Sequence, residues 1–218
     1  MSVHETARLN MVENQLRPNK VTDERVLAAF DRIRRELFVP ETLRGIAYID
    51  EDLPLGGGRF MMEPVVAARL LQAAALERTE TALVIGAGSG YEAAVMAVLG
   101  RGIVALEEDL ELARHARAAL VEHGIAAVSV VEGPLRQGWR ARAPYDVILF
   151  GGAIAEAPAE IADQLADGGR LLAVIRPEGG VGRALLMTRS SGVFGRRFLF
   201  DAATPVLPGF AAKPAFVL

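Results

Sequence analysis

Short apolar runs alternate with amphipathic stretches along most of the chain. The apolar runs have the length of buried strands, and the stretches between the earlier runs have helical periodicity. They predict strands near residues 81–86, 103–107, 126–131, 146–151, 170–175, 184–189 and 195–201, and helices near residues 90–99, 109–123 and 158–166. Strands that alternate with helices over short connections form a mostly parallel twisted sheet with helices on both faces. The pattern therefore predicts an α/β fold with a ligand crevice beyond the carboxyl ends of the strands.

A helical region precedes the predicted sheet. Residues 21–37 carry an apolar stripe at helical spacing, with Thr22 as the expected N-cap, and Pro40 ends the helix. A Gly- and Pro-rich loop then leads to a second predicted helix with Pro64 in its first turn. No repeat or linker interrupts the chain, so we expect a single domain. Its predicted parts are an N-terminal helical cap and substrate loop (1–80), a cofactor-binding core (81–190) and a C-terminal strand with a Pro-rich tail (191–218).

Three glycines at alternate positions end the first predicted core strand. They let the backbone turn with positive φ and let a ligand approach where a Cβ would clash. The N–H groups at the start of the next helix face the same place, which suits a nucleotide-like cofactor. A dinucleotide fingerprint requires Gly or Ala where this chain has Tyr91, so the pattern favours S-adenosylmethionine, with a glycine-rich turn that binds nothing as the alternative. The predicted cofactor contacts in this loop are Gly86, Ala87, Gly88 and Gly90.

Three acidic residues follow the next apolar run. Glu107 ends that run about 20 residues beyond Gly86, where this class of fold places the acid that holds ribose hydroxyls. Asp109 suits the N-cap of the following helix. The alternative interpretation is that the three acids form a solvated helix start. The two interpretations are compatible, because one acid can contact the ribose while another caps the helix. We therefore predict that Glu107 contacts the cofactor.

Composition narrows the possible chemistry. The chain has 218 residues, of which 51% are hydrophobic, and this is enough for a substantial core. Its formal net charge is −3, so no basic surplus points to nucleic acid or to an anionic membrane. Cysteine is absent and the three histidines are not clustered, so we expect no disulfide, no metal site and no cysteine nucleophile. Without a membrane-length apolar stretch or a signal-peptide pattern, we expect a cytoplasmic protein.

Several short motifs occur in a fixed order along the chain. They lie at residues 11–16, 39–40, 47–50, 58–64, 84–91, 138–139, 143–146, 164–165 and 168–171. In this order and spacing the chain resembles the protein-L-isoaspartate O-methyltransferases. The resemblance implies a Rossmann-like methyltransferase fold and S-adenosylmethionine as the methyl donor. It also implies an isoaspartyl-containing damaged protein or peptide as the partner, whose carboxylate is methylated.

The loop at residues 58–64 departs from the family's G-Q-T-I-S-x-P pattern. Phe60 replaces the threonine, and Met62 takes the catalytic position of the serine that the family places beside the isoaspartyl carboxylate. We expect Phe60, Met61 and Met62 to be packing residues without a role in catalysis. Arg59 stands where the acceptor carboxylate would arrive, and a guanidinium suits bidentate carboxylate binding. Arg59 is therefore a candidate acceptor contact, against the simpler expectation of a solvated surface arginine.

Three further departures lie near the expected cofactor. Val84 stands where the family has an acid before Ile-Gly. Pro134 replaces the aspartate of the family's G-D-G, and it supplies neither a carboxylate for the adenine amino group nor a backbone donor. If the motif is shifted by one residue, Glu132 and Gly133 take the place of the Asp-Gly pair that contacts adenine. Residues 150–152 read Phe-Gly-Gly where the family has Thr-Ala-Ala.

Three function classes remain open on the sequence alone. The first is a methyltransferase of isoaspartyl carboxylates. The second is a degenerate family member that binds S-adenosylmethionine, S-adenosylhomocysteine or a protein partner without this activity. The changes at Phe60, Met62, Val84 and Pro134 keep this second class open beside the leading first one. The third is a nicotinamide-dependent reductase, against which Tyr91 argues.

Overall fold

The N-terminal region folds into several short helices. The computed structural model describes residues 2–212. Its first elements are α1 (Val3–Met11), a π-helical turn (Val12–Leu16), α2 (Glu24–Arg32) and two 3₁₀ segments (Arg35–Phe38 and Glu41–Ile46). The prediction of one helix over residues 21–37 is wrong at its C-terminal end. Ile33 takes extended backbone angles (φ −87°, ψ 122°), which ends α2 at Arg32.

The N-cap of α2 is Asp23 and not Thr22, which corrects a second detail of the prediction. The Asp23 carboxylate accepts a hydrogen bond from the Arg25 N–H at 2.8 Å. The N–H groups of Thr22 and Asp23 both donate to the side-chain oxygen of Gln72, at 2.6 and 2.9 Å. Gln72 therefore fixes the approach to α2, and the first side chain that can cap the helix is that of Asp23.

A two-stranded hairpin and a helix follow the cap. They are β1 (Leu53–Gly56), β2 (Arg59–Met61) and α3 (Pro64–Ala74), and β1 pairs antiparallel with β2. Pro64 lies in the first turn of α3, as predicted, where its missing N–H has no cost. The carboxylates of Asp50 and Asp52 accept hydrogen bonds from the N–H groups of Val65 (3.1 Å) and Glu63 (3.0 Å). These two aspartates therefore satisfy the N–H groups at the start of the helix.

The remaining elements build one large sheet. They are β3 (Thr81–Ile85), α4 (Tyr91–Leu99), β4 (Gly102–Glu107), α5 (Leu110–Glu122), β5 (Val128–Glu132), β6 (Tyr145–Ile154), α6 (Ala159–Ala162), β7 (Leu165–Ile175), β8 (Arg183–Ser190) and β9 (Val193–Asp201). Within the described residues the strand order is β5-β4-β3-β6-β7-β8-β9. Pairing is parallel from β5 to β7 and antiparallel from β7 to β9, which confirms the predicted sheet and its terminal hairpin. α6 is shorter than predicted, because β7 already begins at Leu165.

The central strands are buried on both faces of the sheet. Along β3, Ala82 and Val84 pack with the N-terminal helices and with α3 and α4. Leu83 and Ile85 point to the opposite face and pack with residues of α6 and with Leu207. Burial on both faces explains why these strands are continuous apolar runs in the sequence.

The chain after β9 returns to the sheet. We call residues 203–212 the C-terminal segment; residues 213–218 of the predicted tail lie outside the described residues. The Ala153 N–H donates to the Pro205 carbonyl at 2.9 Å, and the Leu207 N–H donates to the Ala153 carbonyl at 2.8 Å. The segment therefore lies against the carboxyl end of β6. The predicted division into cap, core and tail stays a prediction, and no helix among residues 2–212 has the length and apolarity needed to cross a membrane.

Candidate cofactor and acceptor site

The glycine loop, residues 86–90, connects β3 to α4 at the carboxyl edge of the sheet. All three of its glycines have positive φ: 72° at Gly86, 55° at Gly88 and 92° at Gly90. The N–H groups of Gly86 and Ala87 both donate to the Leu106 carbonyl of β4 at 3.0 Å. A Cβ on Gly88 would lie 2.9 Å from the Leu55 side chain. The loop thus has the tight turn and the close approach that were predicted from the glycine spacing.

Glu107 ends β4 beside the glycine loop, and its side chain is fully buried. One carboxylate oxygen accepts hydrogen bonds from the N–H groups of Glu108 (2.9 Å) and Asp109 (3.0 Å). The other accepts from the Gly88 N–H at 2.7 Å and from the Arg59 guanidinium. Asp109 in turn caps α5, as predicted. The acid expected at the ribose is therefore next to the loop expected at the cofactor.

Arg59 lies on β2 and is only 4% exposed, so the expectation of a solvated surface arginine is wrong. The hairpin folds over the glycine loop, and a Cβ on Gly86 would lie 3.0 Å from Arg59 Nη2. That nitrogen forms an ion pair with Glu107, which compensates two buried charges. Nε and Nη1 of Arg59 are buried and have no hydrogen-bond partner within residues 2–212. Two nitrogen atoms of this guanidinium therefore keep N–H groups that a ligand could accept from.

Met62 is 1% exposed and belongs to the core, as does Met61. Both methionines therefore pack in the core, as expected, and the absence of a catalytic role for Met62 stays a prediction. The Met62 carbonyl accepts a hydrogen bond from Nη2 of the fully buried Arg35 at 2.7 Å. Nε of Arg35 donates to the Ala47 carbonyl at 2.7 Å. Arg35 thus fixes the backbone of the loop at residues 58–64, and no sequence pattern pointed to it.

Glu63 in this loop and Glu92 beside it have shifted pKa values. Burial, with the nearby carboxylates of Asp52 and Asp50, raises the pKa of Glu63 to about 7. Burial also raises the pKa of Glu92, in the first turn of α4, to about 7. One oxygen of the Glu92 carboxylate has no hydrogen-bond partner within the described residues. Both groups therefore titrate near neutral pH, where ordinary glutamates are ionised.

Glu132 and Gly133, the predicted adenine contacts, are not grouped with the side chains of the glycine-loop site. Glu132 ends β5 and directs its carboxylate to Arg117 of α5, at 2.6 Å. The Gly133 N–H donates to the Glu107 carbonyl at 3.2 Å, so only the backbone of this pair borders the crevice. A Cβ on Gly133 would lie 3.3 Å from the Trp139 ring. A role of Glu132 in binding adenine stays a prediction.

Three features of the structure define a class of protein: the sheet order, the glycine turn into α4, and the acid Glu107 at the end of β4. Together they form a Rossmann-like S-adenosylmethionine-dependent methyltransferase fold. The residues present suit such a cofactor in chemistry, since the glycines place no Cβ along the turn and Glu107 offers a carboxylate to ribose hydroxyls. The Ser89 hydroxyl, which has no hydrogen-bond partner within residues 2–212, is a further buried polar group of the glycine loop.

Comparisons with known proteins identify the family. The family model described as "Protein-L-isoaspartate(D-aspartate) O-methyltransferase (PCMT)" matches residues 7–193. Protein-L-isoaspartate O-methyltransferase 2 of Anaeromyxobacter sp. is 40% identical over 190 residues, covering 87% of this chain and 78% of the relative. The protein-L-isoaspartate O-methyltransferase of Methylorubrum populi is 38% identical over 209 residues, covering 95% and 98%. The chain belongs to the protein-L-isoaspartate O-methyltransferase family.

Solved structures agree with this assignment. A protein-L-isoaspartate O-methyltransferase with 25% identity superposes with a TM-score of 0.80 over 93% of this chain and 66% of its own. A Plasmodium falciparum structure described as a putative family member in complex with S-adenosyl-L-homocysteine has 21% identity and a TM-score of 0.79, and covers 95% and 99%. The second likeness shows the fold alone. Methyltransferases of this family use S-adenosylmethionine and act on isoaspartyl-containing proteins.

Proposed function

We propose that this chain transfers a methyl group from S-adenosylmethionine to the carboxylate of isoaspartyl residues in damaged proteins. The observation that carries the proposal is the buried Glu107 carboxylate, held 2.7 Å from the Gly88 N–H at the turn where the family binds its methyl donor. Family membership over residues 7–193 supplies the reaction class. We further propose a cytoplasmic location, and the absence of nucleic-acid and membrane partners stays a prediction.

The reaction requires positioning more than proton transfer. When bound, S-adenosylmethionine would supply a methyl group on its sulfonium. A carboxylate oxygen would form the new bond to the methyl carbon as the carbon–sulfur bond breaks and S-adenosylhomocysteine leaves, so an already ionised carboxylate needs no general base. Holding two reactants in line can contribute several kcal/mol, on the order of 7 at the favourable end. In this chain the glycine loop and Glu107 would hold the donor, with Glu107 on its ribose hydroxyls. The absence of a catalytic histidine or cysteine therefore does not count against the reaction.

Arg59 is our candidate for the acceptor carboxylate. Its Nε and Nη1 are buried without partners within residues 2–212, and each can donate a charge-assisted hydrogen bond to a carboxylate. Phe60 and Met62 offer the incoming carboxylate no hydrogen bonds, and desolvating it there without compensation has a cost. We therefore expect turnover on isoaspartyl peptides to be slower than in a relative with the Thr and Ser of the G-Q-T-I-S-x-P pattern.

A second candidate function is binding without isoaspartyl methylation. The burial of Met62 in the core favours it, because the position of the family serine then contributes packing and no polar contact. Under this proposal the crevice binds S-adenosylmethionine or S-adenosylhomocysteine, and the protein acts through a partner.

Two measurements separate these candidates. Calorimetric titration with S-adenosylhomocysteine and, in parallel, with NADH should give heat for the first ligand only. A radiolabelled methyl donor should then label an isoaspartyl peptide but not the same peptide with ordinary aspartate. Binding of S-adenosylhomocysteine without any peptide labelling would reject the enzyme and favour the second candidate. Binding of NADH alone would reject both.

A further inference from the structure

The C-terminal segment lies directly in front of the glycine loop. Hydrogen bonds of Ala153 with Pro205 and Leu207 fix its backbone to the carboxyl end of β6. The Leu207 side chain is buried, and a Cβ on Gly86 would lie 3.0 Å from it. A Cβ on Gly152 would lie 2.7 Å from the same side chain. Leu207 therefore fills the space between the glycine loop and the end of β6, where the cofactor of this fold class is expected.

A second side chain anchors the same segment. Phe210 is buried, and its ring meets Phe150 of β6 edge-on with 5.5 Å between the centroids. The Arg136 guanidinium lies over the Phe210 ring at 5.2 Å, and its Nε donates to the Gly209 carbonyl at 2.6 Å. The Ala155 N–H donates to the Phe210 carbonyl at 2.9 Å. The segment is thus held by hydrogen bonds and ring packing both before and after Leu207 along the chain.

Arg59 fills the adjoining part of the crevice. It borders Gly86 together with Leu207, and its Nη2 is paired with the Glu107 oxygen that also accepts from Gly88. This is the carboxylate that would bind ribose hydroxyls. A cofactor cannot enter unless these side chains move.

We propose that the C-terminal segment and Arg59 are an internal occupant of the cofactor crevice, which S-adenosylmethionine must displace in order to bind. The inference rests on the proposed function for the identity of the ligand. The occupant is suited to displacement because Nε and Nη1 of Arg59 and the hydroxyl of Thr204 are buried without partners within residues 2–212, which has a free-energy cost. Once the ribose takes Glu107, the freed Arg59 guanidinium becomes available to the acceptor carboxylate. Donor therefore binds before acceptor.

Two departures from the family pattern fit this occupant. Gly152 replaces an alanine, and any Cβ there would meet Leu207. Phe150 replaces a threonine and supplies the ring on which Phe210 packs. Both residues lie in β6 and differ from the family pattern. Gly152 thus makes room for the C-terminal segment, and Phe150 holds it.

The test compares ligand affinity in two matched pairs of substitutions. Leu207→Ala with Phe210→Ala weakens docking of the segment. Val121→Ala with Val193→Ala removes two exposed apolar side chains elsewhere and serves as the control. Calorimetry with S-adenosylhomocysteine should give about tenfold tighter binding for the first pair and no change for the second, as expected if the segment is docked in about nine of ten molecules. Thermal unfolding verifies that both variants are folded.

A second measurement follows the segment itself in the unaltered protein. S-adenosylhomocysteine should speed the hydrogen exchange of the Leu207 and Ala155 amides, whose partners lie across the docked interface, while β3 amides stay protected. Arg59→Gln, which inserts the residue of the family pattern, should also tighten S-adenosylhomocysteine binding. Equal affinities in all variants, or unchanged exchange on ligand addition, would overturn the internal occupant alone. No binding by any of these proteins would overturn the proposed function as well.

Discussion

The glycine loop keeps the residue types of its family, whereas the acceptor loop at residues 58–64 keeps only the first glycine and the last proline of the pattern. The shape of the glycine loop depends on its main chain, through positive φ values and the hydrogen bond from the Gly88 N–H. The acceptor loop is built by side chains, and Arg59, Phe60 and Met62 all differ from the pattern. A chain can therefore keep a donor site while its acceptor chemistry changes, because the two regions depend on different kinds of constraint.

The largest effect is expected on the donor side, from Gly88→Asp. A side chain at φ 55° is strained, and its Cβ would lie 2.9 Å from Leu55 with a new carboxylate beside Glu107. We expect S-adenosylhomocysteine affinity to fall more than about 100-fold, the loss of about 3 kcal/mol or more. Gly124→Asp is the control, since Gly124 has φ 74° but open space around it. Unchanged binding in Gly88→Asp would remove the donor site from the glycine loop.

The second prediction concerns stability and not affinity, at the contact that joins the two regions, the ion pair of Arg59 with Glu107. Glu107→Gln leaves the guanidinium buried with its charge unpaired, which should lower the free energy of unfolding by about 3–5 kcal/mol. Urea unfolding of this variant, of Arg59→Gln and of the double variant completes a double-mutant cycle. The double variant should recover most of the loss. A purely additive result would mean that the two charges act independently.

The third prediction concerns Glu92, which lies between the two regions. Its folded-state pKa of about 7 exceeds the ordinary 4.5, so the folded protein retains a proton that the unfolded chain loses. The stability from this group is fully present below about pH 4.5 and is lost as the pH rises through about 7. Glu92→Gln should therefore stabilise the protein at pH 8 by up to about 3 kcal/mol and have little effect at pH 4.5.

Thermal unfolding across this pH range checks the Glu92 prediction. Glu122→Gln, which changes an exposed acid on α5, should follow the pH profile of the unaltered protein. A Glu92→Gln profile parallel to that of the unaltered protein would show that Glu92 is ionised in the folded state at neutral pH.

The smallest expected effect tests the acceptor side alone. Phe60→Thr with Met62→Ser restores the hydroxyls of the family pattern and should raise isoaspartyl methylation about tenfold to a hundredfold, or about 1–3 kcal/mol of barrier. S-adenosylhomocysteine affinity should stay the same, because these residues do not border Glu107. Met61→Ser is the matched control for a new hydroxyl at a buried methionine. A folded double variant with no gain would place the defect at Val84 or Pro134.

The sheet could be predicted because its signal is local. Central strands buried on both faces require continuous apolar runs, and Leu83, Val84 and Ile85 show this directly. The glycine loop and Glu107 could be predicted because both follow strand ends at a spacing that this class of fold imposes. The N-cap at Asp23 could not be predicted, since Gln72 in α3 fixes the approach to α2 from far along the chain.

The burial of Arg59 could not be predicted for a similar reason. An arginine in a Gly-rich loop has every local property of a surface residue, and only the fold brings it to Glu107, 48 residues away. The docking of Leu207 and Phe210 has no periodic signal either, because one leucine and one phenylalanine in a Pro-rich stretch do not specify a partner. Contacts between residues that are far apart in the sequence are thus the part of the site that the sequence alone does not predict.

Arg35 has a consequence for how this surface changes over evolutionary time. Its guanidinium holds the carbonyl of Met62 and not the side chain, so the course of the loop does not depend on which residue occupies position 62. Lineages can exchange polar and apolar side chains there while the main chain keeps its path. New acceptor preferences can then arise by single substitutions on an inherited framework, and lost ones can return by the same route.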